Sequence, residues 1–157
     1  MYVKRKIEGV IFNALEDKQI LAIAGPRKCG KTTLLRRMQE KTKNAELISF
    51  QDREVLDLFQ QDLNAFAKSY AKPNKILFID DINNAVDTGR KLRSIYDNYK
   101  TKIVLTSNAS LEATIPDIRY LIGRVRVFNL FPCSFKEFVK YKNKKLLSEF
   151  QNEQKQS

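Results

Sequence analysis

The sequence predicts an α/β fold, a three-layer α/β/α sandwich around a mainly parallel, five-stranded sheet. Two observations carry this prediction. Short apolar runs alternate along the chain with stretches whose apolar residues recur every three or four positions. The runs are also continuously apolar, as expected of parallel strands buried on both faces.

The elements follow in order. Residues 7–15, IEGVIFNAL, place Ile7, Val10, Ile11 and Leu15 at helical spacing. Residues 19–24, QILAIA, run apolar up to Gly25 and predict the first strand. Residues 31–42 read as a helix and 45–50, AELISF, as the second strand. From 55 to 71, Val55, Leu58, Phe59, Leu63, Phe66 and Tyr70 recur at helical spacing, predicting one amphipathic helix stopped by Pro73. KILFID at 75–80 is a third strand that ends in acids, and 88–99 a helix with Leu92, Ile95, Tyr96 and Tyr99 on one side. TKIVLTSN at 101–108 is a fourth strand with a polar end. Residues 110–123 predict two short helical pieces broken at Pro116, and RVRVFNL at 124–130 alternates like a fifth strand. After Pro132, a helix over 134–151 starts at Ser134, with Glu137 three positions on as a capping box. NEQKQS reads as a frayed tail.

With 157 residues the chain is long enough for a proper core in one domain. No window reaches the roughly 18 apolar residues of a membrane span. The start, MYVKRKIEGVIF, is interrupted by Glu8, Gly9 and Asn13, so no secretory signal is read there, and a reducing cytoplasm is the expected location. Cys29 and Cys133 form neither a metal-ligand pattern nor a disulfide framework. The net charge is +11 and uneven. Residues 1–37 hold nine Lys and Arg against three Asp and Glu, residues 119–157 hold the same, and the middle is net −1. A basic surface of this size attracts phosphate, DNA or an acidic partner.

Residues 25–32, GPRKCGKT, fit the pattern G-x-x-x-x-G-K-[ST] between a strand and a helix. The spacing suits a triphosphate. Gly25 and Gly30 keep side chains away from a ring of backbone amides, and the helix that follows aims its positive end at the anion. Lys31 would reach the outer phosphates and the Thr32 hydroxyl would ligate Mg²⁺. The binding segment runs through Gly25, Pro26, Arg27, Lys28, Cys29, Gly30, Lys31, Thr32 and Thr33. Arg27 and Lys28 stand at the loop tip, and Cys29 reads as a spacer. A loop of this kind calls for a strand that ends in acid, and ILFIDD supplies Asp80 for the metal and Asp81 to orient or deprotonate an attacking water. It also calls for a polar strand end between the two. VLTSN offers Thr106, Ser107 and Asn108, of which Asn108 is chosen.

The ordered set, completed by YLIGRVRVFNLFPCSFKEFVKY at 120–141, resembles the AAA+ superfamily of P-loop NTPases, and more narrowly the archaeal-type predicted ATPases. The likeness runs from about Ile7 to Tyr141. It implies ATP and Mg²⁺ as ligands: phosphate on Gly25, Gly30 and Lys31, the metal on Thr32 and Asp80. It also implies a sensor role for Asn108 and a γ-phosphate arginine at Arg124, which would reach a neighbour's nucleotide in a homo-oligomer. Pro132, Phe135 and Phe138 read as packing. Residues 1–133 are expected to form the ATPase core, and 134–157 a C-terminal helix that begins a shortened lid or second domain. The family has Glu where this chain has Asp81. Two functions therefore stand side by side: an ATPase that drives a conformational change, on DNA or otherwise, and a nucleotide-dependent regulatory module with little turnover. A small-molecule kinase would need an acceptor pocket and an arginine-bearing lid, and a GTPase an N-K-x-D pattern. Neither is found.

Overall fold

The computed structural model describes residues 2–144. Strands β1 (Ile20–Ala24), β2 (Ala45–Ser49), β3 (Ile76–Asp80), β4 (Lys102–Ser107) and β5 (Val125–Asn129) form one sheet in the order β2-β3-β4-β1-β5. Every pairing is parallel, with Leu21 opposite Val104 and Phe78 opposite Val104 from the other side. The helices are α1 (Glu8–Ala14), α2 (Lys31–Glu40), α3 (Arg53–Gln61), α4 (Leu63–Phe66), α5 (Thr88–Asn98), α6 (Leu111–Thr114) and α7 (Phe135–Lys142). A π-helical turn spans Ala67–Ala71 and a 3-10 turn Ile118–Leu121.

Successive strand residues point to opposite faces, and this alternation makes the three layers. Ile20, Ala22, Leu77, Ile79, Ile103 and Leu105 face one core, closed by Phe59 of α3, Phe66 of α4, Leu92 and Ile95 of α5 and Leu111 of α6. Leu21, Ile23, Phe78 and Val104 face the other, closed by Ile11 of α1 and Leu34, Leu35 and Met38 of α2. Among the described residues no helix is long and apolar enough to cross a membrane.

The single helix expected over 55–71 is divided. Asp62 leaves helical geometry (φ −143°, ψ 82°) and its carboxylate accepts from the Ala65 amide at 3.0 Å, ending α3 and capping α4. A short acidic side chain that bonds its own backbone competes with helix continuation. The break leaves Phe59, Phe66 and Tyr70 in an aromatic cluster with Phe50, with ring centroids 4.8 to 6.2 Å apart. The capping box predicted for α7 is present: Ser134 accepts from the Glu137 amide and Glu137 from the Ser134 amide. The part of that predicted helix beyond residue 144, the NEQKQS tail and most of the expected 134–157 unit lie outside the described residues.

The start of α5 is built by a distant residue. Both oxygens of Asp117 accept helix amides, from Gly89 and Arg90, at 2.9 Å each. An anion at a helix N-terminus suits the dipole. The fit is close: a Cβ on Gly89 would overlap the Asp117 carbonyl oxygen and lie 2.8 Å from Oδ1. Gly89→Ala is therefore expected to lose about 1–3 kcal/mol through overpacking, despite alanine's better helix propensity. Urea unfolding of the variant measures it.

At the other end of the sheet, Lys102 Nζ donates to the carbonyls of Asp17 and Gln19 and so pins the α1–β1 loop. Burial pushes its ammonium down to about 8 from 10.5, partly opposed by Asp17 and reinforced by Arg126. Between these two values the unfolded chain holds more protons at this site than the folded one, so stability from this group rises with pH. The wild type is expected to gain urea resistance relative to Lys102→Met between pH 7.5 and 9.5. An unchanged difference between the two would contradict the assignment.

Candidate functional site

The strand order sets the C-terminal ends of β3, β4 and β1 side by side, with β4 in the middle as expected. Open parallel sheets bind ligands at such ends. The loop 25–30 leaves β1 here and turns into α2. Gly25 is needed for a reason the spacing did not show: a Cβ there would overlap the Leu130 carbonyl oxygen, where the chain leaves β5. Gly30 stands at φ +102°, a left-handed geometry that favours glycine, and serves as the N-cap of α2. No side chain caps this helix, and Leu34 is its first amide with a backbone acceptor, the Gly30 carbonyl at 3.0 Å. The amides of Lys31, Thr32 and Thr33 are thus available to an anion, at the positive end of the helix.

Lys31 is only 6% exposed. Its ammonium donates to the carbonyls of Gly25 (2.7 Å) and Pro26 (2.6 Å) and lies 3.8 Å from the Cys29 sulfur. Thr32 Oγ1 donates to Asp80 Oδ2 at 2.7 Å. The second oxygen of Asp80 accepts from Thr106 Oγ1 at 2.6 Å, and Thr106 Oγ1 in turn accepts from the Asp81 amide at 2.8 Å. Asp81 stands at φ 58°, unusual for a residue with a side chain. Its carboxylate accepts from Gln51 Nε2 (2.9 Å) and from the Asn83 amide (3.2 Å), so the side chain is held from both sides. The Asn83 side chain reaches on to the Asn108 amide at 3.0 Å.

Part of this network lines a hollow of about 510 Å³, with Thr106 and Asn83 behind its wall. Lys31, Thr32, Asp80, Asp81 and Asn108 are brought together in its wall, with Arg27, Lys28, Gly30 and Thr33 around the loop. Gly25, Pro26 and Cys29 do not line it; they form the back of the loop, where the carbonyls of Gly25 and Pro26 hold Lys31. Of the three polar residues at the end of β4, Thr106 touches Asp80, while Asn108 lines the wall just beyond the strand.

Arg124 is not brought to this site. It precedes β5, whose start pairs with Ile20 and whose end with Ala24. A strand of that length, at about 3.3 Å per residue, places it roughly 16 Å from the loop. There it ion-pairs with Asp97 at 3.2 Å. Within one chain Arg124 cannot contact a nucleotide held by the loop.

Sequence reading missed Gln51, Asn83 and the N-terminal segment. Arg5 lies behind the loop and donates to the Cys29 carbonyl at 2.6 Å and to the Phe131 carbonyl. Further along α2, Arg37 donates to Glu8 at 2.7 Å and stacks over the Tyr2 ring, while the Tyr2 hydroxyl donates to the other Glu8 oxygen. Burial pushes the Glu8 carboxyl up, but the bonds from Tyr2 and Arg37 outweigh it and hold the group below the usual carboxylate range. Burial, with the Glu8 hydrogen bond, pushes the Tyr2 hydroxyl well above its usual value. Beforehand this stretch showed its basic character and a helical period from Ile7, not these contacts.

The family described as AAA domain matches residues 17–139, which takes in the loop, the acids, the β4 end and the start of α7. No curated protein matches the sequence. Among solved structures the chain is similar to a candidate primosome component from Streptococcus pyogenes serotype M3, at 19% identity and a TM-score of 0.60, over 83% of this chain and 82% of that one. It is also similar to Pif1 helicase from Candida albicans, at 13% identity and a TM-score of 0.56, over 83% of this chain and 40% of that one. At these identities the likeness is one of fold, and this chain spans less than half of the helicase chain. With the family match over most of its length and an all-parallel five-stranded sheet flanked by helices, this chain belongs to the AAA domain family, with the nucleotide-binding, P-loop NTPase type of fold.

Proposed function

We propose that the domain binds Mg²⁺-ATP in the hollow at the strand ends and hydrolyses it to ADP and phosphate, and that the cycle drives a conformational change. One observation carries the reading. The Thr32 hydroxyl and the Asp80 carboxylate meet at 2.7 Å beside the buried Lys31 ammonium and the uncapped start of α2. Hard oxygen donors of this kind fit Mg²⁺, which is typically held by one or two side chains together with substrate phosphates. Among the described residues no three His, Cys, Asp or Glu gather into a protein cage for a metal. Thr32 and Asp80 would hold the ion, which would neutralise charge on the outer phosphates.

The chain's own groups supply the rest. The amides that open α2 and the Lys31 ammonium receive phosphate oxygens and stabilise charge as the γ-phosphoryl group leaves. Asp81, turned to the hollow by its left-handed backbone, orients a water and accepts its proton. Thr106 fixes both acids, and Asn108 stands on the wall where a polar group can meet the water or the γ-phosphate. A regulatory module with little turnover is the second reading. Asp81 supports it, because its carboxylate is shorter than glutamate's and already engaged by Gln51 and Asn83.

DNA is the partner we propose for the moving part. Two adjoining hollows at the far end of the sheet share Lys72, Asn98 and Tyr99. Lys68, Lys75 and Lys100 complete their basic lining, and no carboxylate lines either one. None of the four lysines takes part in an ion pair among the described residues. Unpaired lysines in a groove suit a phosphate backbone. An arginine completing the site from a second copy, Arg124 in trans, belongs to the same proposal.

The test is ATP hydrolysis by the wild type, Lys31→Ala, Asp81→Asn and Asp81→Glu, with and without duplex DNA at low salt. Lys31→Ala is expected to lose binding. Asp81→Asn should keep binding and lose about a hundredfold in rate, within the usual range for a general base. A rate that rises in Asp81→Glu marks the native chain as a weak hydrolase. Failure of the wild type to bind ATP sinks the reading, and no response to DNA sinks its DNA-linked part.

Thr106→Val provides a separate check. It removes the donor to buried Asp80 and the acceptor of the part-buried Asp81 amide, at about 1–3 kcal/mol for the unpaired buried group. It is expected to lower both unfolding free energy and turnover, whereas Asn108→Ala should lower turnover with little change in stability.

A further inference from the structure

We propose that Arg5 is the positioning residue of the phosphate loop, and that through its pairing with Glu137 the docking of α7 sets how tightly that loop holds nucleotide. The inference rests on the nucleotide reading above. Arg5 lies ahead of α1, is 9% exposed, and joins three segments far apart in sequence. Nη1 donates to the Cys29 carbonyl of the loop at 2.6 Å, and Nη2 to the Phe131 carbonyl between β5 and α7. Nε lies 3.3 Å from Glu137 Oε2 in α7. A guanidinium is planar, so the two Nη hydrogen bonds fix the loop against the β5–α7 connection, while Glu137 is held by charge, the buried Nε–H making no hydrogen bond to it.

The loop contact has a direct consequence for an anion. A trans peptide is planar, and its C=O and N–H point in opposite directions. By holding the Cys29 carbonyl from behind, Arg5 turns the Gly30 amide away from itself, on a residue that lines the hollow. A Cβ at Gly30 would meet Arg5 Nη1 in ordinary contact at 3.4 Å, so it is the φ of +102° and not a lack of space that favours glycine there. Loss of Arg5 frees the peptide plane to rotate at a glycine, the residue least able to resist.

Glu137 is the joint with α7. Its Oε1 accepts from the Lys6 amide (2.9 Å) and its Oε2 from the Ser134 amide (2.9 Å), so it grips both the N-terminal segment and its own helix start. No other strong anchor exists for this helix among the described residues: α7 buries none of its side chains, and Phe135 is 82% exposed. Attachment through one carboxylate makes the docking of α7 sensitive to that pair. By linkage the dependence is reciprocal: if docked α7 favours nucleotide, bound nucleotide favours docked α7 by the same factor.

Isothermal titration of the full chain with ATP and Mg²⁺ tests this on the wild type, Arg5→Gln, Arg5→Lys, Glu137→Gln and the double variant Arg5→Gln/Glu137→Gln. Each is checked by thermal unfolding and titrated well below its midpoint. Arg5→Gln is expected to weaken binding about tenfold or more, the scale of a hydrogen bond from a charged group. Glu137→Gln should weaken it less. The double variant should be no weaker than Arg5→Gln alone, because the two act in one chain of contacts. Arg5→Lys should rescue only in part, having no fork. The reciprocal effect is read from a thiol dye on exposed Cys133, next to α7, Cys29 being buried. ATP should shift its fluorescence in the wild type and not in Glu137→Gln. Folded Arg5→Gln and Glu137→Gln that bind ATP within twofold of the wild type overturn the proposal and leave Arg5 as a staple. If Arg5→Gln does not fold, Glu137→Gln decides alone by the same twofold criterion. A wild type that binds ATP with no dye shift overturns the coupling. A wild type that binds no ATP refutes instead the nucleotide reading on which this rests.

Discussion

Asp80 organises the functional end of the molecule. The residue is 8% exposed, so water has little access to its carboxylate. A buried anion is costly unless hydrogen bonds replace the lost water. Here two hydroxyls do so, Thr32 from the first turn of α2 and Thr106 from the end of β4. The strand order brings all three within reach, since β3 lies beside β4 and β4 beside β1. Satisfying one carboxylate therefore positions the start of α2 against the sheet, and with it Lys31. The same Thr106 oxygen receives the Asp81 amide, so the tight turn that aims the second acid begins from the first. The backbone carbonyl of Asp80 also accepts from Phe50, which brings the β2 end and Gln51 into reach of Asp81.

What could be read from the sequence follows this division between local and distant chemistry. The loop from Gly25 to Thr33 and the acids at 80–81 were legible because their chemistry is written in short spacing. A glycine, a lysine and a hydroxyl in fixed succession point to an anion, and an apolar strand that ends in two acids points the same way. The strand–helix alternation was legible because burial on both faces leaves long apolar runs. Thr106 and Asn108 could not be separated, since both sit at a polar strand end. Which one meets Asp80 depends on the register between β3 and β4 and on where the strand stops. The break at Asp62 was hidden inside a continuous helical period, because apolar spacing does not report a side chain that caps its own backbone.

Arg124 shows a limit of another kind. Parallel strands all start at one end of the sheet and finish at the other, so an arginine that opens a strand lies at the end away from a loop that closes one. That follows from parallel topology alone. Likeness of motif order does not contain it. Arg5 and Glu137 are the opposite case. They stand 132 positions apart with no spacing rule to connect them, yet the fold places them at one joint behind the loop. Even Gly25, singled out for a phosphate, stands where a Cβ would overlap the Leu130 carbonyl, a constraint the spacing does not contain.

The state of Lys31 bears on how such a site can be selective without a large rearrangement. Its ammonium is already out of water and held by two neutral carbonyls. Arrival of a phosphate does not require the lysine to be desolvated, because folding has done that. The ammonium exchanges or shares weak dipolar acceptors for a charged one, in surroundings where charge–charge attraction is stronger than in bulk water. The carbonyls that hold it belong to the loop that presents the amides, so the cation and the anion-binding backbone are oriented together. Asp81 completes the contrast. It is held in a left-handed turn that a side chain resists, with its carboxylate tethered by Gln51 and Asn83. Strained geometry of this sort persists only where neighbours over-determine it. On the proposed reading, binding falls to the buried Lys31 and the loop amides and turnover to the tethered Asp81, with left-handed backbone in both parts, at Lys28 (φ 61°) and at Asp81 (φ 58°).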